Sequence, residues 1–182
     1  CTPTLIRSRG MLRLGHRARL GRRGGGRRRG DISEDEAYGG AVAFMAELTQ
    51  RIEGHGTCFC FEPLGPEDTD FINSAFESLE IVKAVDHPCM QVQLDAKALF
   101  DNDEAAPETF STVAAHLVRY HANEPGFELL GSSGTIDHAA LGAMLRDIGY
   151  DQFVTIEQRM IDADNPLAGV RQSAQHLKEC YS

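Results

Sequence analysis

The sequence predicts an α/β fold in which short parallel strands alternate with helices. Four strand-like apolar runs occur along the chain, and helix-like segments without hairpin signals separate them. Each run ends on a side chain that can bind a metal ion: Glu62, Asp95, His121 and Glu157. These residues lie 33, 26 and 36 positions apart, about the length of one strand, one returning helix and two turns. The repeat therefore predicts parallel βα units whose ligands meet at one edge of the sheet, at the carboxyl ends of the strands.

Capping signals and apolar repeats predict the first two helices. The run Ser33-Glu34-Asp35-Glu36 is a capping box, and the helix that it begins ends at Gly54. Asp68 or Thr69 is expected to cap the second helix, which ends before His87-Pro88. Both helices repeat apolar residues at helical spacing, so each has one face to bury.

The remaining elements follow the same alternation. A third helix is predicted over residues 107–115, and a long glycine-bearing loop over 122–136. Asp137 is expected to cap a fourth helix, and Asn165 with Pro166 to begin the last one. The predicted strands are residues 57–62, 89–95, 117–121 and 152–157.

Alternation along each strand places the four potential ligands on the more polar face of the sheet. Side chains two positions apart point to the same side, which groups Glu62 with Cys60, Asp95 with Gln93, His121 with Arg119 and Glu157 with Thr155. Polar groups on a buried face need hydrogen bonds or a metal ion. This face is therefore the one expected to carry the chemistry.

The first thirty residues differ from the rest of the chain. Residues 1–30 contain ten arginines and no acidic residue, which predicts a disordered Arg/Gly-rich segment, or sequence that is not native. Residues 31–182 form the predicted folded domain. An arginine-rich arm can bind nucleic acid, but we do not expect nucleic acid as a partner.

Cysteine spacing and hydrophobicity also indicate the cellular compartment of the protein. The five cysteines show no CxxC spacing, which argues against a zinc knuckle and a disulfide scaffold. No apolar run reaches the 18 residues typical of a membrane span, so we expect no membrane contact. A reducing, cytoplasmic location is the expectation. His116, His138 and His176 are expected at the surface.

Several motifs together resemble a known family. They are Glu62-Pro63-Leu64, Leu94-Asp95, Tyr120-His121-Ala122-Asn123, and Ile148-Gly149-Tyr150 followed by Ile156-Glu157. In this order they resemble the second half of the xylose isomerase-like TIM barrels, a group of sugar isomerases and epimerases that includes D-tagatose 3-epimerase-like enzymes. The resemblance covers about residues 31–182 and implies an incomplete barrel of about half the usual units.

The resemblance also implies a cofactor and a mechanism. One divalent ion would be bound by Glu62, Asp95, His121 and Glu157; a mostly oxygen donor set suits Mn²⁺ or Mg²⁺, with Co²⁺ and Zn²⁺ as alternatives. The substrate would be a sugar or a related polyhydroxy carbonyl compound. Glu62 and Glu157 would act as the acid/base pair that moves a proton through a metal-stabilised enediolate.

Other polar residues near this edge are candidates for substrate contact. Lys97, Asn123 and Arg159 are the predicted substrate-binding residues, and Glu124 lies near the same edge. For each of the four, a solvated loop charge is the alternative role. Ala98 stands where epimerases of this family commonly have a substrate-binding histidine. Keto-acid isomerisation and dehydration of a cyclic polyol therefore stay open beside epimerisation.

Length leaves a second class of function open. The predicted domain has 152 residues (182 − 30), whereas a complete barrel takes about 250. Half a barrel exposes two strand edges, which favours self-association. The alternative to an enzyme is a non-catalytic barrel fragment, or a nucleic-acid-associated module that uses the arginine-rich arm.

Overall fold

The computed structural model describes residues 28–182, in which four strands alternate with six α-helices. In chain order the elements are α1 (Glu34–Ile52), β1 (Phe59–Phe61), α2 (Ala75–Val85), β2 (Met90–Asp95), α3 (Ala96–Asp101), α4 (Pro107–Val113), β3 (Leu117–Ala122), α5 (His138–Asp147), β4 (Phe153–Ile156) and α6 (Pro166–Tyr181). A single 3₁₀ turn, Pro125–Phe127, lies between β3 and α5. Among these helices, none combines the length and hydrophobicity that crossing a membrane requires.

The four strands form one parallel sheet in the order β1-β2-β3-β4. This confirms the predicted parallel βα units. Within residues 28–182, β1 and β4 each pair with a strand on one side only. Self-association through these two edges stays a prediction.

The apolar core lies on one face of the sheet, beneath the helices. Met90, Val92 and Leu94 of β2 are completely buried, as are Ile81 of α2 and Phe110 of α4, and all five belong to one cluster. Burial of each such side chain contributes about 2 kcal/mol relative to exposure. The core thus packs against β2, one of the two interior strands of the sheet.

Local capping explains where the helices begin. Ser33 and Glu36 form the predicted capping box of α1, and the Asp137 side chain accepts from Ala140 N at the start of α5. Asn165 is the N-cap of α6, as predicted, but its side chain makes no capping hydrogen bond. The start of α6 is instead favoured by Pro166 at the first helical position, because the fixed φ of proline matches that of a helix.

The prediction that Asp68 or Thr69 caps α2 is wrong. The helix begins at Ala75, and its capping box is formed by Ser74 and Glu77. Thr69 instead closes a turn through its hydroxyl, which donates to Phe71 O and accepts from Phe71 N. Residue 72 has a φ of 62°, a left-handed conformation that an α-helix cannot include.

The short helix α3 is absent from the sequence prediction. It begins directly after Asp95, whose side chain accepts from Ala98 N at 2.9 Å. With six residues it is too short to show an apolar repeat.

Most of the predicted basic segment, residues 1–27, lies outside the described residues. Arg28 donates through its guanidinium to Glu67 O, and Arg29 N donates to Asp70. The end of this segment therefore contacts the loop that follows β1.

The contact between α5 and α6 depends on one glycine. A Cβ added at Gly142 would lie 2.0 Å from Cys180 O. We expect Gly142→Ala to lower the free energy of unfolding by about 1–3 kcal/mol, although alanine favours a helix interior over glycine by about 1 kcal/mol. Denaturant titration measures the change.

Gly40→Ala is the matched control, because Gly40 is an exposed residue of α1 with no atom within 4 Å of an added Cβ. This variant should be more stable than the wild type by up to about 1 kcal/mol. Equal stabilisation by both substitutions would contradict the close packing of α5 on α6.

Candidate metal centre

The four predicted ligands converge at the carboxyl ends of the four strands. Glu62 follows β1 directly, Asp95 ends β2, His121 lies near the end of β3 and Glu157 follows β4. One ligand atom from each residue lies within 4.8 Å of the others. The parallel register brings this about, because Asp95 pairs directly with His121.

The imidazole of His121 points one nitrogen into the group of carboxylates. Its Nδ1 lies 3.2 Å from Glu62 Oε1, 3.3 Å from Glu157 Oε2 and 3.8 Å from Asp95 Oδ2. The other nitrogen, Nε2, lies 3.3 Å from Arg119 Nε. Nδ1, which also lies 3.1 Å from Gln93 Nε2, is therefore the ring nitrogen that faces the space between the carboxylates, where an ion would bind.

The electrostatics of the cluster show an excess of negative charge. Burial raises the pKa of Asp95 to about 7, and the nearby Glu62 carboxylate adds to the shift. Burial alone would lower the pKa of His121, but hydrogen bonds to Glu157 and Glu62 outweigh it and raise that pKa to about 9. Asp95 and the His121 imidazole therefore hold protons that a divalent cation bound between the four side chains would replace. The donor set fits a hard ion.

Hydrogen bonds from neighbouring residues orient the ligand side chains. Asp95 Oδ1 accepts from Ala98 N, which leaves Oδ2 facing the cluster, where it accepts from Asn123 Nδ2 at 2.6 Å. Gln93, two positions before Asp95 on β2, donates through Nε2 to Glu62 Oε1 at 2.6 Å. The carboxylates are therefore held in place from β2, β3 and the start of α3.

The three predicted substrate-binding residues lie in different surroundings. Asn123 is buried and contacts the cluster. Lys97 Nζ instead forms ion pairs with Asp101 at 2.5 Å and Asp68 at 3.3 Å. Arg159 is exposed and pairs with Glu128. The structure thus joins only Asn123 to the four ligands, and the substrate roles of all three stay predictions.

Glu124 and His138 are not surface residues, contrary to the sequence prediction. Both are buried, and Glu124 Oε1 accepts from His138 Nε2 at 3.0 Å and from Gly131 N at 2.7 Å. The opposite carboxylate oxygen bonds Ser133, and His138 Nδ1 lies 2.7 Å from Tyr181 Oη. Burial lowers the pKa of His138 despite its bond to Glu124.

One sequence signal does indicate that His138 is buried. His138, Leu141 and Leu145 are spaced as one face of a helix, and all three are buried in α5. No local signal marks Glu124, because its partners come from the following loop and from α5.

Comparison with known proteins identifies the family. The family described as xylose isomerase-like TIM barrel matches residues 13–180. D-psicose 3-epimerase from Ruminiclostridium cellulolyticum is 30% identical to the chain over 117 residues, which are 64% of this chain and 40% of that protein.

Two crystal structures show the same fold. D-psicose 3-epimerase with D-tagatose from Clostridium cellulolyticum H10 has a TM-score of 0.76 at 23% identity, over 83% of this chain and 58% of that one. Apo 3-keto-D-glucoside 4-epimerase from E. coli has a TM-score of 0.74 at 24% identity, over 82% of this chain and 56% of that one.

The chain therefore spans less than two thirds of the length of each of these proteins. The family match itself covers most of the sequence, and the observed parallel sheet is the predicted half of a barrel. The chain belongs to the xylose isomerase-like TIM barrel family.

Proposed function

We propose that this domain is the metal-binding half of a divalent-metal-dependent isomerase or epimerase that acts on a sugar or a related polyhydroxy carbonyl compound. The observation that carries the proposal is the convergence of three carboxylates and one imidazole within 4.8 Å at the carboxyl ends of parallel strands. Family membership and the 30% identity to D-psicose 3-epimerase support the substrate class. The activity is proposed for the protein that contains these βα units.

The ion would be bound by Glu62, Asp95, His121 through Nδ1, and Glu157. Mn²⁺ or Mg²⁺ fits a site with three carboxylates, and Co²⁺ or Zn²⁺ is the alternative. When bound, such an ion polarises a substrate carbonyl as a Lewis acid. The chain itself supplies the groups that orient the substrate and move its proton.

Glu62 and Glu157 are the proposed acid/base pair. They follow β1 and β4, the two outer strands of the described sheet, and so flank the site from opposite sides. Their side chains are 16% and 28% exposed, whereas that of Asp95 is 7% exposed. A substrate therefore has access to the two glutamates. One, as the carboxylate, can remove the proton next to the carbonyl to give an enediolate, and the other, as the carboxylic acid, can then donate its own proton to that carbon from the opposite side.

Lys97 and Arg159 are the proposed substrate contacts at the rim of the site. Lys97 follows Asp95 by two residues and Arg159 follows Glu157 by two. Each is already paired with a carboxylate, Asp101 or Glu128. A substrate hydroxyl could accept a hydrogen bond from either cation or donate one to its carboxylate partner. The substrate could therefore bind at these residues without breaking the two ion pairs.

Removal of one ligand tests the metal site. We expect the wild-type chain to bind a single Mn²⁺ ion and Glu157→Gln to bind it at least about 100-fold more weakly, since loss of a direct ligand exceeds the effect of removing a supporting residue. Glu108→Gln, at an exposed position of α4, is the control and should bind like the wild type. Calorimetric titration measures both, and a full complement of metal in Glu157→Gln would contradict the site.

Metal affinity should increase with pH. The ion requires an unprotonated His121 Nδ1 and an ionised Asp95, whose pKa values are about 9 and about 7. Between pH 8.5 and 7 one proton must leave on binding, so the Kd for Mn²⁺ should rise about tenfold for each unit that the pH falls. Below pH 7 the proton on Asp95 adds to the slope. A Kd that is constant from pH 6 to 8.5 would contradict this charge assignment.

Hydrogen exchange tests the proposed chemistry. D-psicose incubated with the Mn²⁺-loaded protein in D₂O should incorporate deuterium on the carbon next to the carbonyl, because the proton passes through a carboxylate that exchanges with solvent. Glu62→Gln should abolish the exchange, and NMR of the recovered sugar measures it. Exchange that continues in Glu62→Gln would show that this residue is not part of the acid/base pair.

A further inference from the structure

Asn123 links the ends of three strands through its side chain. Its Nδ2 donates to Asp95 Oδ2 at 2.6 Å and to Glu157 Oε2 at 3.4 Å. Its Oδ1 accepts from Lys97 N at 2.9 Å. The amide of the residue directly after β3 thus contacts a ligand from β2, a ligand that follows β4, and the backbone of α3.

These contacts determine which way the amide faces. A backbone N–H can only donate, so the atom of Asn123 next to Lys97 N must be the oxygen. The NH₂ group then faces the two carboxylates, which can only accept when ionised. No other orientation satisfies all three partners.

The position of Asn123 is fixed by the next residue. Glu124 is completely buried and bonds Gly131 N, Ser133 and His138. His138 in turn contacts Tyr181 near the end of α6. We call Glu124, Ser133, His138 and Tyr181 the anchor cluster, because it joins the loop after β3 to α5 and α6.

We propose that Asn123 is a positioning residue that holds Asp95 and Glu157 in the geometry of metal ligands, and that the anchor cluster keeps Asn123 in place. The inference rests on the proposed metal site. A donor shared by two carboxylates offsets part of their mutual repulsion, and hydrogen bonds to ionised groups are the stronger ones. Supporting residues of this kind orient ligands before the ion arrives.

This role differs from direct contact with a substrate. Asn123 is 2% exposed, and both ends of its amide are already bonded. A substrate would have to displace a ligand carboxylate to reach it. Under this proposal Asn123 acts through Asp95 and Glu157, instead of making the substrate contact predicted for it from the sequence.

Metal titration of the full chain tests the inference. Asn123→Ala should bind Mn²⁺ about 10- to 100-fold more weakly than the wild type, measured by the Mn²⁺ electron paramagnetic resonance signal or by calorimetry. Asn123→Ser is the second variant, for the case that the alanine variant does not fold; its shorter side chain cannot bridge the two carboxylates, so the same loss is expected.

Asn73→Ala is the matched control. The Asn73 side chain is partly buried and bonds the backbone oxygens of Leu64 and Thr69, so its loss should lower the melting temperature without changing the Kd for Mn²⁺. A merely structural Asn123 would behave in the same way.

The outcomes separate the two proposals. A wild-type chain that does not bind Mn²⁺ would overturn the proposed metal site and this inference with it. A wild-type chain that binds Mn²⁺, with Asn123 variants that bind within twofold of it, would overturn only the positioning role. A weaker Kd in the Asn123 variants and an unchanged Kd in Asn73→Ala would support it.

Discussion

The register between β2 and β3 is the constraint on which the site depends. The pairing shifts between Val92 and Gln93, so that Leu94 pairs with Tyr120 and Asp95 with His121. A ladder without this shift would pair Asp95 with Tyr120, and paired residues point to the same face of a sheet. The shift sends Tyr120 into the core and brings His121 to the side of Asp95. Irregular strand pairing of this kind is common next to functional sites, where it changes the direction in which a side chain points.

The converging carboxylates create an energetic problem that the surrounding residues reduce. Burial and the neighbouring carboxylates together disfavour ionisation, and both raise the pKa of Asp95. Donors from Gln93, Asn123 and Ala98 N each reach one of these carboxylates. Such bonds fix the side chains without neutralising them. The side chains are consequently arranged so that the binding of a cation would require little reorganisation.

The strand ends are predictable from the sequence because each βα unit is encoded locally, as a short apolar run that ends on a polar residue. Features that depend on contacts between distant segments of the chain cannot be predicted in this way. Period-two alternation groups Leu117 with His121, yet the register shift places Leu117 in the core. Ser74 replaces the expected cap of α2 because the preceding turn cannot continue a helix. Glu124 has the local sequence of a charged, exposed loop residue. Its burial depends on the hydrogen bond with His138, which lies 14 positions further along the chain.

The hydrogen-bond partners divide the three carboxylates into two kinds. Asp95 is nearly inaccessible and uses one oxygen to cap α3 and the other to accept from Asn123. A carboxylate engaged in this way is suited to hold an ion, because its orientation is fixed before the ion binds. Glu62 and Glu157 are more exposed, so they retain access to a substrate. Proton transfer needs that access, which supports the proposal that the residues after the outer strands form the acid/base pair.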